Sequence, residues 1–138
     1  MQEIHQILTG LIATCRDSED RFGKAGNHVH TDSLRNRLTA IARQRADFAA
    51  ELSDCLKPHG AEPPQSAHHH DLELTIRKDD TTLIAQCFEG EENTLRNYES
   101  ALTHDLPAAI RPVVDRQRLA VQEALLDFHG MEMLRKAS

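Results

Sequence analysis

The stretch QEIHQILTGLIATCRDSEDRFGKAGNHV, residues 2–29, decides the fold. Its apolar positions Ile4, Leu8, Leu11, Cys15, Phe22, Ala25 and Val29 are spaced alternately three and four apart, with Ser18 in the remaining place of the series. At 3.6 residues per turn these positions make one stripe, which predicts a long helix burying a single side against partners. His30-Thr31-Asp32-Ser33 interrupts the pattern and offers N-cap oxygens to a following helix. That second helix, 33–57, carries Leu34, Leu38, Ile41, Arg45, Phe48, Leu52 and Cys55 at the same spacing, and Pro58 and Gly60 end it. So short a connection makes the two helices antiparallel neighbours.

Working outward, residues 58–70 form one long linker, and 71–77 have room for a turn or two of helix. Lys78-Asp79-Asp80-Thr81 then reads as a fresh N-cap. A third helix over 80–103 follows, striped by Ile84, Phe88, Glu91, Leu95, Tyr98 and Leu102. Run continuously from Asp71 it would outreach its neighbours, so a break near Asp79 is predicted. The fourth helix, 107–136, opens on Pro107 and carries Ile110, Val114, Gln117, Val121, Ala124, Phe128 and Met131. Pro112 lies inside it and predicts a bend or a late start. No strand pattern and no repeat occurs. Matched helices with one stripe each predict an all-α four-helix bundle in one domain, 1–138. The linker, at ~3.3 Å per residue, is long enough to cross the bundle's length.

With a net charge of -6, nucleic acid is not expected as a partner, since phosphate binding rests on Lys and Arg. The basic positions between Arg35 and Arg45 alternate with apolar ones and read as the solvated side of a helix. Mean hydropathy is -0.54, and no apolar run approaches the ~18 residues of a membrane span. The opening Met1-Gln2-Glu3-Ile4-His5 lacks the basic and apolar regions of a signal peptide, so a cytoplasmic location is expected. Cys15, Cys55 and Cys87 are far apart and on stripe positions, which predicts buried, reduced thiols.

Each stripe is broken once by a polar residue, at matching heights. The breaks are Ser18 beside Asp17, Glu19 and Asp20, then Arg45, then Glu91 beside Glu92, and finally Gln117. Antiparallel pairing of neighbours brings Glu19, Arg45, Glu91, Glu92 and Gln117 together as a polar layer at mid-bundle. The plainer reading has Arg45 snorkelling to water and Gln117 at the seam's edge.

The runs Leu11-Ile12-Ala13-Thr14-Cys15-Arg16-Asp17-Ser18-Glu19, Arg45-Ala46-Asp47-Phe48-Ala49-Ala50-Glu51-Leu52 and Glu89-Gly90-Glu91-Glu92, with Tyr98-Glu99-Ser100-Ala101-Leu102, resemble a bacterial family. It is a family of ferritin-like four-helix bundles classified only as a domain of unknown function. The resemblance implies the ferritin-like topology, with the second-to-third connection crossing the bundle and those two helices parallel. It implies no activity. Where that family opens its third helix on a His-Arg-Gly-Trp-like run, this chain has His68-His69-His70-Asp71-Leu72.

Di-iron bundles of this topology place a Glu on each of two helices and a Glu-x-x-His on each of the other two. Glu19 and Glu91 or Glu92 match the lone carboxylates, but no Asp or Glu here has a His three positions on, and the second helix offers Arg45. A guanidinium there repels a metal and neutralises carboxylates instead. The run His68–His70 reads as a solvated linker, His28 and His30 suit the end of the first helix, and His129 reads as half-buried. The His-x-x-x-His spacing of hemerythrin-type carriers is missing, and no catalytic residue is identified. The expected protein is a non-catalytic bundle acting through protein contacts, a homodimer among them, without a cofactor. The competing expectation is a metal-binding protein handling iron or peroxide through Glu19, Glu91 and Glu92, with iron or manganese as its cofactor.

Overall fold

A computed structural model describes residues 2–59 and 79–137, which hold four α-helices and a 3-10 turn. Helix α1 spans Gln2–His28, α2 Asp32–Leu56, α3 Asp80–Leu102 and α4 Arg111–Ala137, with the 3-10 turn at Lys57–His59. None of these helices is long and apolar enough to cross a membrane.

The helix ends follow local chemistry. Asp79, extended at φ -70° and ψ 170°, caps α3 by accepting from the Thr82 N–H at 2.9 Å. Thr31 stands at the N-cap of α2, but its hydroxyl makes no cap bond. It donates instead to the Asp80 carboxylate at 3.0 Å, which also accepts from the His30 N–H at 2.9 Å. The α1–α2 turn is thereby tied to the start of α3. The expected opening of α4 at Pro107 is corrected: Pro107 begins a turn whose carbonyl accepts from Ile110 and Arg111, and regular helix starts at Arg111. Pro112 then falls in the first turn, where its missing N–H leaves no helical bond unmade.

Contacts along the bundle fix the directions. On α1 and α3, Glu3 meets His104, Cys15 meets Tyr98, Ser18 meets Thr94, and the 30–31 turn meets Asp80. Helix α3 is therefore antiparallel to α1. Since α2 also runs against α1, α2 and α3 run the same way, the arrangement of a ferritin-like bundle. Helix α1 packs on α2 and α3, and α4 packs on α3 and more lightly on α2, so α2 and α3 face each other across the diagonal. Helix α2 ends at the opposite end of the bundle from the start of α3. Of the linker expected over 58–70, and the turns over 71–77, all but Pro58 and His59 lie outside the described residues.

Two apolar clusters fill the bundle. One, toward the α3–α4 turn, holds Leu8, Leu11, Ile12, Phe48, Leu52, Leu56 and Val121. The other, toward the α1–α2 turn, holds Phe22, Val29, Leu38, Leu83, Ile84 and Phe128. The predicted stripes hold with small rotations. On α2 the buried positions are Ala42 and Leu56 where Ile41 and Cys55 were expected, because a straight helix drifts from a strict seven-residue repeat. Cys55 is consequently half-buried, a correction to the expectation for all three thiols, while Cys15 and Cys87 are buried and all three are free. On α3 the expected Ile84, Glu91 and Tyr98 are buried together with Leu83, Cys87, Thr94 and Ala101, while Phe88, Leu95 and Leu102 are half-buried.

Candidate functional site

Between the two clusters every helix turns a polar side chain inward: Ser18 and Arg21 from α1, Arg45 from α2, Glu91 and Thr94 from α3, and Gln117 from α4. Arg45 and Glu91 are both 0% exposed. Arg45 Nη1 donates to Glu91 Oε1 at 2.7 Å and Nη2 to Oε2 at 2.5 Å, a two-pronged bond across the diagonal. Its Nε donates to Gln44 Oε1 at 3.2 Å. The guanidinium carbon lies 5.5 Å from the centre of the Phe22 ring, which stacks on Phe128 at 5.6 Å.

Arg21 is a second buried cation, 8% exposed. Its Nη2 reaches the Ser18 and Thr94 hydroxyls at 3.3 and 3.4 Å, while its Nε has no hydrogen-bond partner. Burial pushes this guanidinium below its ordinary value, and the Glu91 carboxylate acts against that shift by favouring the charged form. The side chain lies flat on α3 at Gly90, where an added Cβ would stand 2.3 Å from Arg21 Nε and 2.4 Å from Cζ. A glycine next to Glu91 is what admits Arg21 to the layer.

The other half of the layer is uncharged. Tyr98 donates its one hydroxyl proton to Gln117 Oε1 at 2.7 Å, so the Cys15 thiol, 3.0 Å away, donates to the Tyr98 oxygen. The Gln117 amide donates to the Phe48 carbonyl at 3.3 Å and to Glu51 Oε1 at 2.8 Å. Glu51 in turn pairs with Arg116. The chain thiol, phenol, amide, carboxylate thus runs in one direction from the core to the surface. Burial pushes the Cys15 thiol up to about 11 and the Tyr98 phenol upward as well. Neither is an activated nucleophile.

Residues 3–104, from α1 to just past α3, match the family described as Domain of unknown function (DUF2383). The chain belongs to that family. No curated protein matches it in sequence. In fold it is similar to a conserved hypothetical protein of Mycobacterium tuberculosis, with a TM-score of 0.82 at 10% identity over 93% of this chain and 96% of that one. It is also similar to the Desulfovibrio desulfuricans bacterioferritin, a protein with a diiron site, with a TM-score of 0.82 at 13% identity over 99% of this chain and 81% of that one. At such identities the likeness is one of fold. This member of DUF2383 is a ferritin-like four-helix bundle.

Of the residues singled out in the sequence, the structure brings Arg45, Glu91 and Gln117 into the interior and leaves Glu19 and Glu92 at its margin. Glu19 is half-exposed and pairs with Arg16 at 3.0 Å, which corrects the expectation that it joins the layer. The reason is rotation: one residue is ~100° of helix, so with Ser18 and Glu91 on the seam, Glu19 and Glu92 turn away. Arg21 and Thr94 were missed. Arg21 stands in the charged run Arg16–Arg21 and looks like a surface residue. The signals that point inward are its spacing of three from Ser18 and the glycine opposite. Among the described residues no group of three or more His, Cys, Asp or Glu converges.

Proposed function

We propose that this DUF2383 chain is a non-catalytic bundle that works through protein contacts, with the Arg45–Glu91 pair standing where ferritin-like relatives hold iron. The observation that carries this reading is the buried guanidinium held by both oxygens of Glu91. A di-iron centre needs carboxylates free to coordinate, with His ligands beside two of them. Here Glu91 is engaged by Arg45, Glu19 by Arg16, and the second helix presents a cation. Such residues do not fit a di-metal centre. Burial that raises the Cys15 and Cys87 thiols is in keeping with a packing role for both. The expected location is the bacterial cytoplasm, in keeping with free cysteines, and net charge -6 disfavours nucleic acid as the partner.

Untagged protein incubated with iron(II) or manganese(II) and then desalted tests the reading by elemental analysis. Less than a tenth of an equivalent retained is the expected result. Retention of about two equivalents, lost in Glu91→Ala, would replace the proposal with the iron- or peroxide-handling alternative.

A further inference from the structure

Among the described residues the two exposed large hydrophobic side chains are Leu119, 47% exposed, and Leu126, 65% exposed. Both are on α4, seven residues or ~10.5 Å apart along its axis. They lie on the side opposite Val114, Gln117, Val121, Ala124 and Phe128, which face the core. Pro112, exposed in the first turn, precedes Leu119 by seven on the same line. None of the other described helices covers this stripe.

We infer that the outer face of α4 is a self-association surface, on which a second copy of this chain packs its own α4 in antiparallel register about residues 122 and 123. The pattern is self-complementary. A two-fold through that point sets Leu119 of one protomer against Leu126 of its partner, and the reverse. In such a pair each flank of the helix meets the same flank of the copy. Arg116 and Asp127 share one flank and are both exposed, so each Arg116, which pairs with Glu51 of its own chain, comes within a helical turn of an Asp127 of the other protomer. On the opposite flank Gln122 meets Gln122, two amides able to exchange hydrogen bonds. In a parallel pair each flank would meet the opposite flank of the copy, and Arg116 and Asp127 would not be brought together. One contact is unfavourable: Glu123 meets its own copy near the axis. A single helix pair covers less than the ~1,600 Å² of a standard interface, so association is weak and concentration-dependent. This surface deepens the reading of a protein that acts by contacts. A metal centre at mid-bundle would end that reading and leave the outer face of α4 untouched.

Sedimentation of the untagged chain from about 5 µM to about 1 mM tests the surface. The expected mass rises with concentration from 15.5 kDa toward twice that value. Leu119→Asp with Leu126→Asp, solvent-side changes whose fold is checked by circular dichroism, should hold the protein monomeric throughout. Glu123→Gln removes the like-charge contact and should tighten the dimer about two- to threefold, a gain that a non-specific apolar contact does not predict. A wild type that stays monomeric at every concentration overturns the inference. So does a dimer that survives the double Asp variant, or one that Glu123→Gln leaves unchanged or loosens.

Discussion

The polar layer changes character along the length of the bundle. Toward the α1–α2 turn it is ionic: Arg45 grips Glu91 with two prongs, and Arg21 lies in the field of the same carboxylate on a pair of hydroxyls. Toward the α3–α4 turn it is neutral, with Cys15, Tyr98 and Gln117 passing hydrogen bonds outward to Glu51. The two sides respond differently to the loss of one member. A buried ion deprived of its partner keeps its desolvation cost with nothing to offset it. A neutral donor or acceptor deprived of its partner loses one bond and keeps a smaller penalty. The ionic side is therefore expected to be the more sensitive to the loss of one member.

Removing the cation is the strongest way to break that contrast. Arg45→Ala strands Glu91 and should cost ~3–5 kcal/mol in urea or thermal unfolding, whereas the exposed Arg37→Ala should change little. Arg45→Met combined with Glu91→Gln should recover much of the loss, because a buried pair is replaceable by neutral groups of similar volume. An Arg45→Ala protein that melts with the wild type would show that the ionic side does not hold the layer.

On the neutral side, Tyr98→Phe leaves the Cys15 thiol and Gln117 Oε1 without the hydroxyl between them. The expected cost is ~1–3 kcal/mol, below that of Arg45→Ala. If Tyr98→Phe proves the more damaging change, the contrast between the two sides is reversed.

Gly90→Ala tests how Arg21 belongs to the ionic side. The new methyl meets the Arg21 guanidinium, which must swing out toward solvent, at a cost of ~1–3 kcal/mol. Combining Gly90→Ala with Arg21→Ala should remove most of that penalty, since the obstructed group is then absent. Equal damage in both backgrounds would point to the helix backbone instead.

A separate lever on the buried thiols is alkaline pH. Burial raises Cys15 to about 11 and Cys87 to about 12 from an ordinary 9.0, so between those values the unfolded chain releases protons that the folded chain keeps. Their contribution is complete below about pH 9 and is lost as pH rises toward the folded values. Unfolding midpoints should fall from about pH 9 upward, and less steeply in Cys15→Ala/Cys87→Ala. Thiol labelling at neutral pH should reach half-buried Cys55 first and the other two only on unfolding. Fast labelling of Cys15 would mean that the neutral side opens in the native state.

Much of this was legible in the residues alone. The spacing of Leu8, Leu11 and Cys15 on α1, or of Val114, Gln117 and Val121 on α4, reports a helix and its buried side, because 3.6-residue periodicity is a local property. The places where polarity enters the stripes, Ser18, Arg45, Glu91 and Gln117, were visible for the same reason: a polar residue in an apolar series is conspicuous. Where the local rule fails is at one-residue resolution. Glu19 and Glu92 stand beside seam positions and face elsewhere, and Phe88 and Leu95 attract the eye although Cys87 and Thr94 are the buried residues.

The sequence by itself determined the four helices, their stripes, the short α1–α2 turn that forces antiparallel pairing, and the heights at which the core turns polar. Only the tertiary structure decided that Arg45 reaches Glu91 across the diagonal, that Arg21 enters beside Gly90, and that Thr31 serves Asp80 rather than its own helix. The physical reason is range. Periodicity and capping depend on residues a turn apart, whereas a buried charge chooses its partner from whatever the packing of other helices places within reach of a flexible side chain.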